Sequence, residues 1–90
     1  MRKIVKTGIF KRDYKRIKRR GYPELKLIAV LQLLIADEPL PEKCRPHKLV
    51  GEYFGYWECH ISPDWLLIYE LNEEDELILK RTGSHSDLFD

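Results

Sequence analysis

Three histidines, His47, His60 and His85, lie in the second half of a ninety-residue chain, near turns or strand ends, with Asp64 and Arg81 in the same segments. Ser62-Pro63-Asp64 is a turn signal. A hairpin there holds His60, the penultimate residue of one strand, near the Asp64 carboxylate. Arg81 and His85 sit at the end of the last strand and in the tail just beyond it. If that strand pairs with the central one, these groups converge at one edge of the sheet. Imidazoles, a carboxylate and a guanidinium suit metal-free RNA cleavage. The 2′-hydroxyl must lose a proton, the 5′-oxygen must gain one, and the phosphate's growing charge needs a cation. Histidine serves either proton role near neutrality, and arginine's planar fork holds phosphate oxygens. The plain alternative is a set of surface histidines, with Arg81 paired to a carboxylate of the acidic half.

Metal chemistry fits the spacing less well. Cys44-x-x-His47 and Cys59-His60 resemble ligand pairs, but neighbours on a strand point to opposite faces, and no paired C-x-x-C knuckle exists. No metal is expected. Cys59 reads as a core residue and Cys44 as a loop thiol. The aromatic set (Tyr53, Phe54, Tyr56, Trp57, Trp65, Tyr69, Phe89) is mostly core material. Trp65 beside the turn and Phe89 in the tail are the candidates for stacking an unpaired base.

Which elements must position these groups? Residues 2–6 read as a first strand. Thr7 caps a helix from Gly8 to Arg20, with Phe10, Tyr14 and Ile17 on one buried stripe. Gly21 ends that helix. Residues 24–37 form a second helix, apolar on most sides and expected between the first helix and a sheet; Pro39 and Pro41 stop it. A long connection follows over 38–51. Residues 53–61 read as an aromatic strand, 65–69 as a central strand apolar on both faces, and 76–82 as a final strand with Leu77, Leu79 and Arg81 alternating. Asn72 to Asp75 turns the chain, and Gly83 to Asp90 is a short tail. The order is β-α-α-β-β-β, an α+β fold in one domain over 1–90, both helices on one face of an antiparallel sheet.

Charge is segregated along this order. Residues 1–36 hold eleven Lys/Arg against two acidic residues, a net +9; residues 37–90 hold five against thirteen, a net −8. A basic helix of this density faces a polyanion, RNA or DNA being the common one, and Lys11, Lys15 and Lys18 are its candidate contacts. Two cysteines make no disulfide framework, the N-terminus lacks a signal-peptide pattern, and the longest apolar run is about half a membrane span. The expected setting is the cytoplasm, with no membrane contact.

The run from His47 to Tyr69 resembles the HxLxGxxxGxRxxHxxPDWLLIY block of YafQ-like toxins of the RelE superfamily, and Arg81-Thr-Gly-Ser-His85-Ser-Asp-Leu-Phe89 is similar to their RTGSHxxLF ending. The element order is the RelE-like one. Trp57 stands where many of those toxins carry arginine. The resemblance implies a type II toxin that cuts mRNA in the ribosome's decoding site without a cofactor. Carried over by motif, His47, His60, Asp64 and His85 share the acid–base work and Arg81 stabilises the phosphate. Trp65 and Phe89 then support substrate or site geometry. It also implies a cognate antitoxin that wraps the toxin, and operator DNA bound only through their complex. The basic first helix fits docking on ribosomal RNA. Two other readings keep the fold. One is a ParE-like inhibitor of DNA gyrase, which has no need of proton-transfer groups. The other is a non-catalytic RNA-binding module.

Overall fold

A computed structural model describes residues 1–89; Asp90, the end of the tail, lies outside the described residues. In chain order the elements are β1 (Lys3–Lys6), α1 (Gly8–Arg19), α2 (Glu24–Ile35), β2 (His47–Lys48), β3 (Trp57–Ser62), β4 (Trp65–Leu71), β5 (Glu76–Gly83) and α3 (His85–Phe89). Single 3-10 turns at Glu42–Cys44 and Gly51–Tyr53 flank β2. The α+β architecture stands. The sheet runs β1-β5-β4-β3-β2 and is mixed, because β1 pairs parallel with β5 while the other pairs are antiparallel. A first strand joined to the last cannot be read from local periodicity.

Local signals set most boundaries. The Thr7 hydroxyl accepts the Phe10 N–H at 3.0 Å, capping α1, and donates to the Lys80 carbonyl at 3.1 Å, tying that cap to β5. Gly21, at φ +78°, closes the helix. Its N–H and that of Tyr22 return to the carbonyls of Lys18 and Ile17, a Schellman ending. The aromatic strand starts at Trp57, four residues later than its composition suggested, because Gly51 and Gly55 hold the segment between them in positive-φ turns.

The two faces of the sheet are unlike. Phe10, Ile17, Leu27, Val30 and Leu34 from α1 and α2 pack on Cys59, Trp65, Leu67, Tyr69, Leu77 and Leu79. The opposite face carries a smaller cluster of Leu66, Ile68 and Leu88, with Leu49, Tyr53 and Tyr56 against it. Every residue of Trp65–Tyr69 is buried, as a central strand covered on both faces requires. Two expectations about burial change. Helix α2 is not enclosed: Leu25 is 78% exposed and Ile28 39%, while its buried stripe is Leu27, Val30 and Leu34. Cys44 is no loop thiol, because its turn folds back onto the core and leaves it 4% exposed. No helix of the described residues is long and apolar enough to cross a membrane.

Candidate active site

The residues singled out for chemistry gather on the sheet face that α1 and α2 leave open. Cross-strand partners share a face, and one register row runs His47, Glu58, Ile68, Arg81 across β2, β3, β4 and β5. The next runs His60, Leu66, Gly83. Leu66 and Ile68 belong to the smaller cluster, so both rows look away from the helices. Arg81 reaches this face through a bulge. Ile68 pairs with Arg81 and Tyr69 with Leu79, which leaves Lys80 as an extra residue and reverses the alternation after it. By simple alternation with Leu77 and Leu79, Arg81 would have pointed into the main core. Lys80 shares the open face, its ammonium 4.6 Å above the Tyr56 ring and 3.3 Å from Glu70.

Helix α3 folds the tail back over the hairpin turn. Asp64 Oδ1 accepts the His85 backbone N–H at 2.9 Å and lies 2.6 Å from His85 Nδ1. The backbone bond first, then the ring, lowers the Asp64 pKa. An ionised carboxylate can only accept, so Nδ1 carries the proton and Nε2 is the free nitrogen. The His85 ring stands edge-on to the His60 ring at a centroid separation of 5.8 Å. Glu58, 5% exposed, joins the other two histidines: its Oε1 is 3.2 Å from His47 Nε2 and 3.8 Å from His60 Nε2. His47 Nδ1 donates to the Arg45 carbonyl at 2.9 Å, so both nitrogens of that ring face acceptors.

Arg81 lies two strands from Glu58, about 10 Å at the usual interstrand spacing. Aromatic rings bridge the gap. His85 meets Phe89 at 6.4 Å and Phe89 meets Tyr53 edge-on at 5.8 Å. The Arg81 guanidinium is itself forked onto Asp13 of α1, Nε to Oδ2 at 2.7 Å and Nη2 to Oδ1 at 3.1 Å. That bond above all, with the Tyr53 hydroxyl beside it, raises the Arg81 pKa. Ion-pair and ring contacts therefore run from His47 through Glu58, His60, His85 and Phe89 to Tyr53, which lies beside Arg81. A carboxylate-held imidazole facing a second imidazole, and a fixed guanidinium, along one aromatic ledge can move protons at a phosphodiester and hold its charge.

Two expected substrate contacts sit elsewhere. Trp65 is 2% exposed. Its Nε1 donates to Thr82 Oγ1 at 2.8 Å and Tyr22 packs edge-on against it at 5.0 Å, so it cannot stack a base. Lys11, Lys15 and Lys18 are exposed, but at 100° per residue they fall on the flank of α1 opposite Asp13, Arg16 and Arg20; Lys18 lies over the Tyr14 ring instead. The basic side chains that reach the tail are Arg20, 2.6 Å from Asp87, and Arg16, 3.6 Å from it. Phe89 remains 46% exposed.

Sequence reading passed over Glu58, Tyr53 and Asp13. Glu58 had a signal, because it shares a strand face with His60 two residues on. Asp13 had a weaker one, an acid in a stretch otherwise basic, three residues from Phe10 on the buried stripe. Among the described residues no group of three or more His, Cys, Asp or Glu is arranged to hold a metal ion.

Residues 2–90 match the family described as bacterial toxin of type II toxin–antitoxin system, YafQ. The mRNA interferase toxin YafQ of Escherichia coli strain K12 is 38% identical over 89 residues, 98% of this chain and 96% of that protein. In the crystal structure of the E. coli DinJ-YafQ toxin-antitoxin complex, the matching chain superposes with a TM-score of 0.90 at 38% identity, covering 99% of this chain and 98% of that one. A metal-bound toxin from Helicobacter pylori superposes with a TM-score of 0.92 at 36% identity, covering 99% and 100%. A family match over nearly every residue, with the same fold beneath it, identifies the chain as a member of the YafQ family of bacterial type II toxins.

Proposed function

We propose that this toxin is an endoribonuclease that cuts messenger RNA on the ribosome, by attack of a 2′-hydroxyl on the scissile phosphate and without a metal ion. The 2′-O–P bond forms as the P–O5′ bond breaks, leaving a 2′,3′-cyclic phosphate and a 5′-hydroxyl. The enzyme class is that of its E. coli relative, named an mRNA interferase. The observation that carries the mechanism is His85, tied to Asp64 through Nδ1 at 2.6 Å and facing His60 with its second nitrogen unclaimed. His85 and His60 exchange protons with the reacting oxygens, while Glu58 holds His47 and His60 in place. Arg81 takes the phosphate charge through the N–H groups Asp13 leaves free. Phe89, set against Tyr53, offers a ring for an unpaired base.

The remaining surface serves the setting. Lys11, Lys15 and Lys18, on the flank of α1 away from the site, contact ribosomal RNA phosphates, so binding weakens with salt. A cognate antitoxin binds this toxin as DinJ accompanies YafQ in the E. coli complex, and the pair binds its own operator DNA. The site of action is the cytoplasm, where the ribosomes are.

Purified toxin, programmed ribosomes and end-labelled mRNA test the reading. Cuts are expected only in ribosome-bound message, with cyclic phosphate ends. They should persist in 1,10-phenanthroline, which binds transition metals and spares ribosomal magnesium. Equal cutting of free mRNA would remove the ribosome from the mechanism. Loss of cutting in phenanthroline would bring a metal into it, and intact mRNA on ribosomes would overturn the nuclease.

A further inference from the structure

Asp13 has no place in the motifs that carry the family resemblance, yet it is 1% exposed and wholly engaged with the end of β5. Besides the two bonds from Arg81, its Oδ2 accepts the backbone N–H of Thr82 at 3.2 Å. It can reach that N–H because β1 stops pairing at Lys6, opposite Leu79, so β5 beyond that point has an open edge beside α1. Thr82 is fixed from its other side, donating to the Leu66 carbonyl at 2.8 Å and accepting from Trp65 Nε1 at 2.8 Å. The carboxylate therefore holds the guanidinium plane relative to the strand that carries it. Arg16 Nη1, 3.9 Å from Oδ1, is too distant to compete for the fork.

We infer that Asp13 is the positioning residue for Arg81: the buried carboxylate on α1 sets the plane of the guanidinium, so that its remaining N–H groups meet the phosphate without reorganising. This rests on the proposal that Arg81 contacts the scissile phosphate. A long arginine on a bulge has many rotamers, and fixing one before substrate arrives is worth rate, because small misplacements of a charge-stabilising group cost catalysis far more than binding. The pair also neutralises Arg81 locally. Its contribution at the phosphate then comes from directed hydrogen bonds more than from net charge.

The test is a double-mutant cycle in single-turnover cleavage on programmed ribosomes. Asp13→Asn keeps the shape, removes the charge and turns a donor toward the guanidinium. Its kcat should fall at least about tenfold with KM within about twofold, the signature of an interaction realised in the transition state. In an Arg81→Ala background the same change should lower kcat no further. The Arg81 Nε–H, bonded to Asp13 at 2.7 Å, should give a protected resonance in the parent protein that broadens in Asp13→Asn. A pair that only supports the fold would lower the melting temperature yet leave kcat of the folded protein intact; an unchanged kcat in Asp13→Asn, or a further fall of kcat when the change is added to Arg81→Ala, overturns the inference. If Asp13→Asn does not fold, Arg81→Lys decides the matter, since lysine keeps the ion pair and lacks the fork. Activity at the Arg81→Ala level supports positioning, and parent-level activity overturns it. Full activity of Arg81→Ala itself would remove the phosphate contact, a failure of the functional reading rather than of Asp13 alone.

Discussion

Arg20, the C-cap of α1, grips Asp87 in α3 with two bonds, Nη1 to Oδ2 at 2.6 Å and Nη2 to Oδ1 at 3.2 Å. Asp87 also accepts the Ser84 N–H at 2.9 Å, and its own N–H binds Ser84 Oγ at 3.2 Å, a reciprocal cap on a helix of a single turn. So short a helix has no stability of its own. Its position, and with it that of His85 and Phe89, comes from these bonds, from the Asp64–His85 pair and from buried Leu88. Asp87→Asn should leave the sheet folded while amide exchange at residues 84–88 quickens and kcat drops about tenfold or more. Unchanged exchange in the variant would mean that Leu88 and the Asp64–His85 bonds hold α3 without Asp87.

Acid should release the same helix late. The Arg20 bond foremost, with the Ser84 contacts, holds the Asp87 pKa well below the usual carboxylate range. A depressed folded-state pKa gives stability that is complete above the ordinary value near 3.9 and is lost as pH falls through the depressed one. Asp64 follows the same sign through its bonds from His85. Docking of α3, read by exchange at residues 84–88, should therefore persist at pH 4 and fail only in stronger acid. Release between pH 5 and 6 would contradict this.

Gly83 connects β5 to α3 at φ +155°, and a Cβ there would stand 2.9 Å from both Cβ and Oδ2 of Asp87. The neighbour is partly the stem of a side chain already fixed by Arg20, so it cannot step aside freely. Gly83→Ala should cost roughly 1–3 kcal/mol by overpacking and reduce cleavage along with stability. A chemical melt with the parent midpoint would show that α3 can shift without loss.

Asp64 determines which nitrogen of His85 is free. Asp64→Asn can present its amide to Nδ1 and favour the other tautomer. Cleavage should fall about 100-fold, with ribosome binding unchanged. Parent-level kcat in this variant would show that the tautomer is set elsewhere.

Trp65 offers a contrast, because its ring is buried and its Nε1 donates to Thr82. Trp65→Phe should lose about 1–2 kcal/mol and shift the melting temperature, while KM for ribosome-bound message stays put. A raised KM with unchanged stability would return Trp65 to the substrate surface.

Much of this arrangement was legible in the residues themselves, for local reasons. Thr7 and Gly21 bound α1 because caps are short-range chemistry, and Ser62-Pro63-Asp64 makes a tight turn whatever surrounds it. That turn sets Asp64 just beyond the strand that carries His60, and the tail returning over it brings His85 against both. What could not be read depends on distant partners. Nothing near Lys80 announces the bulge that turns Arg81 to the open face; it arises where β5 leaves β1 and meets α1. The Asp13–Arg81 fork joins residues 68 apart. The charge of the first helix looked like one polyanion-facing surface, yet Arg16 and Arg20 turn theirs to Asp87.

The strand synthesised last lies inside the sheet, flanked by the one synthesised first. A nascent chain that stops short of residue 76 has no partner for β1 and leaves one edge of β4 bare, and the guanidinium, the tail imidazole and the ring at Phe89 do not yet exist. Contacts of such long range form slowly and together. The groups around His85 and Arg81 therefore come together only once β5 and α3 are in place beside β1 and β4.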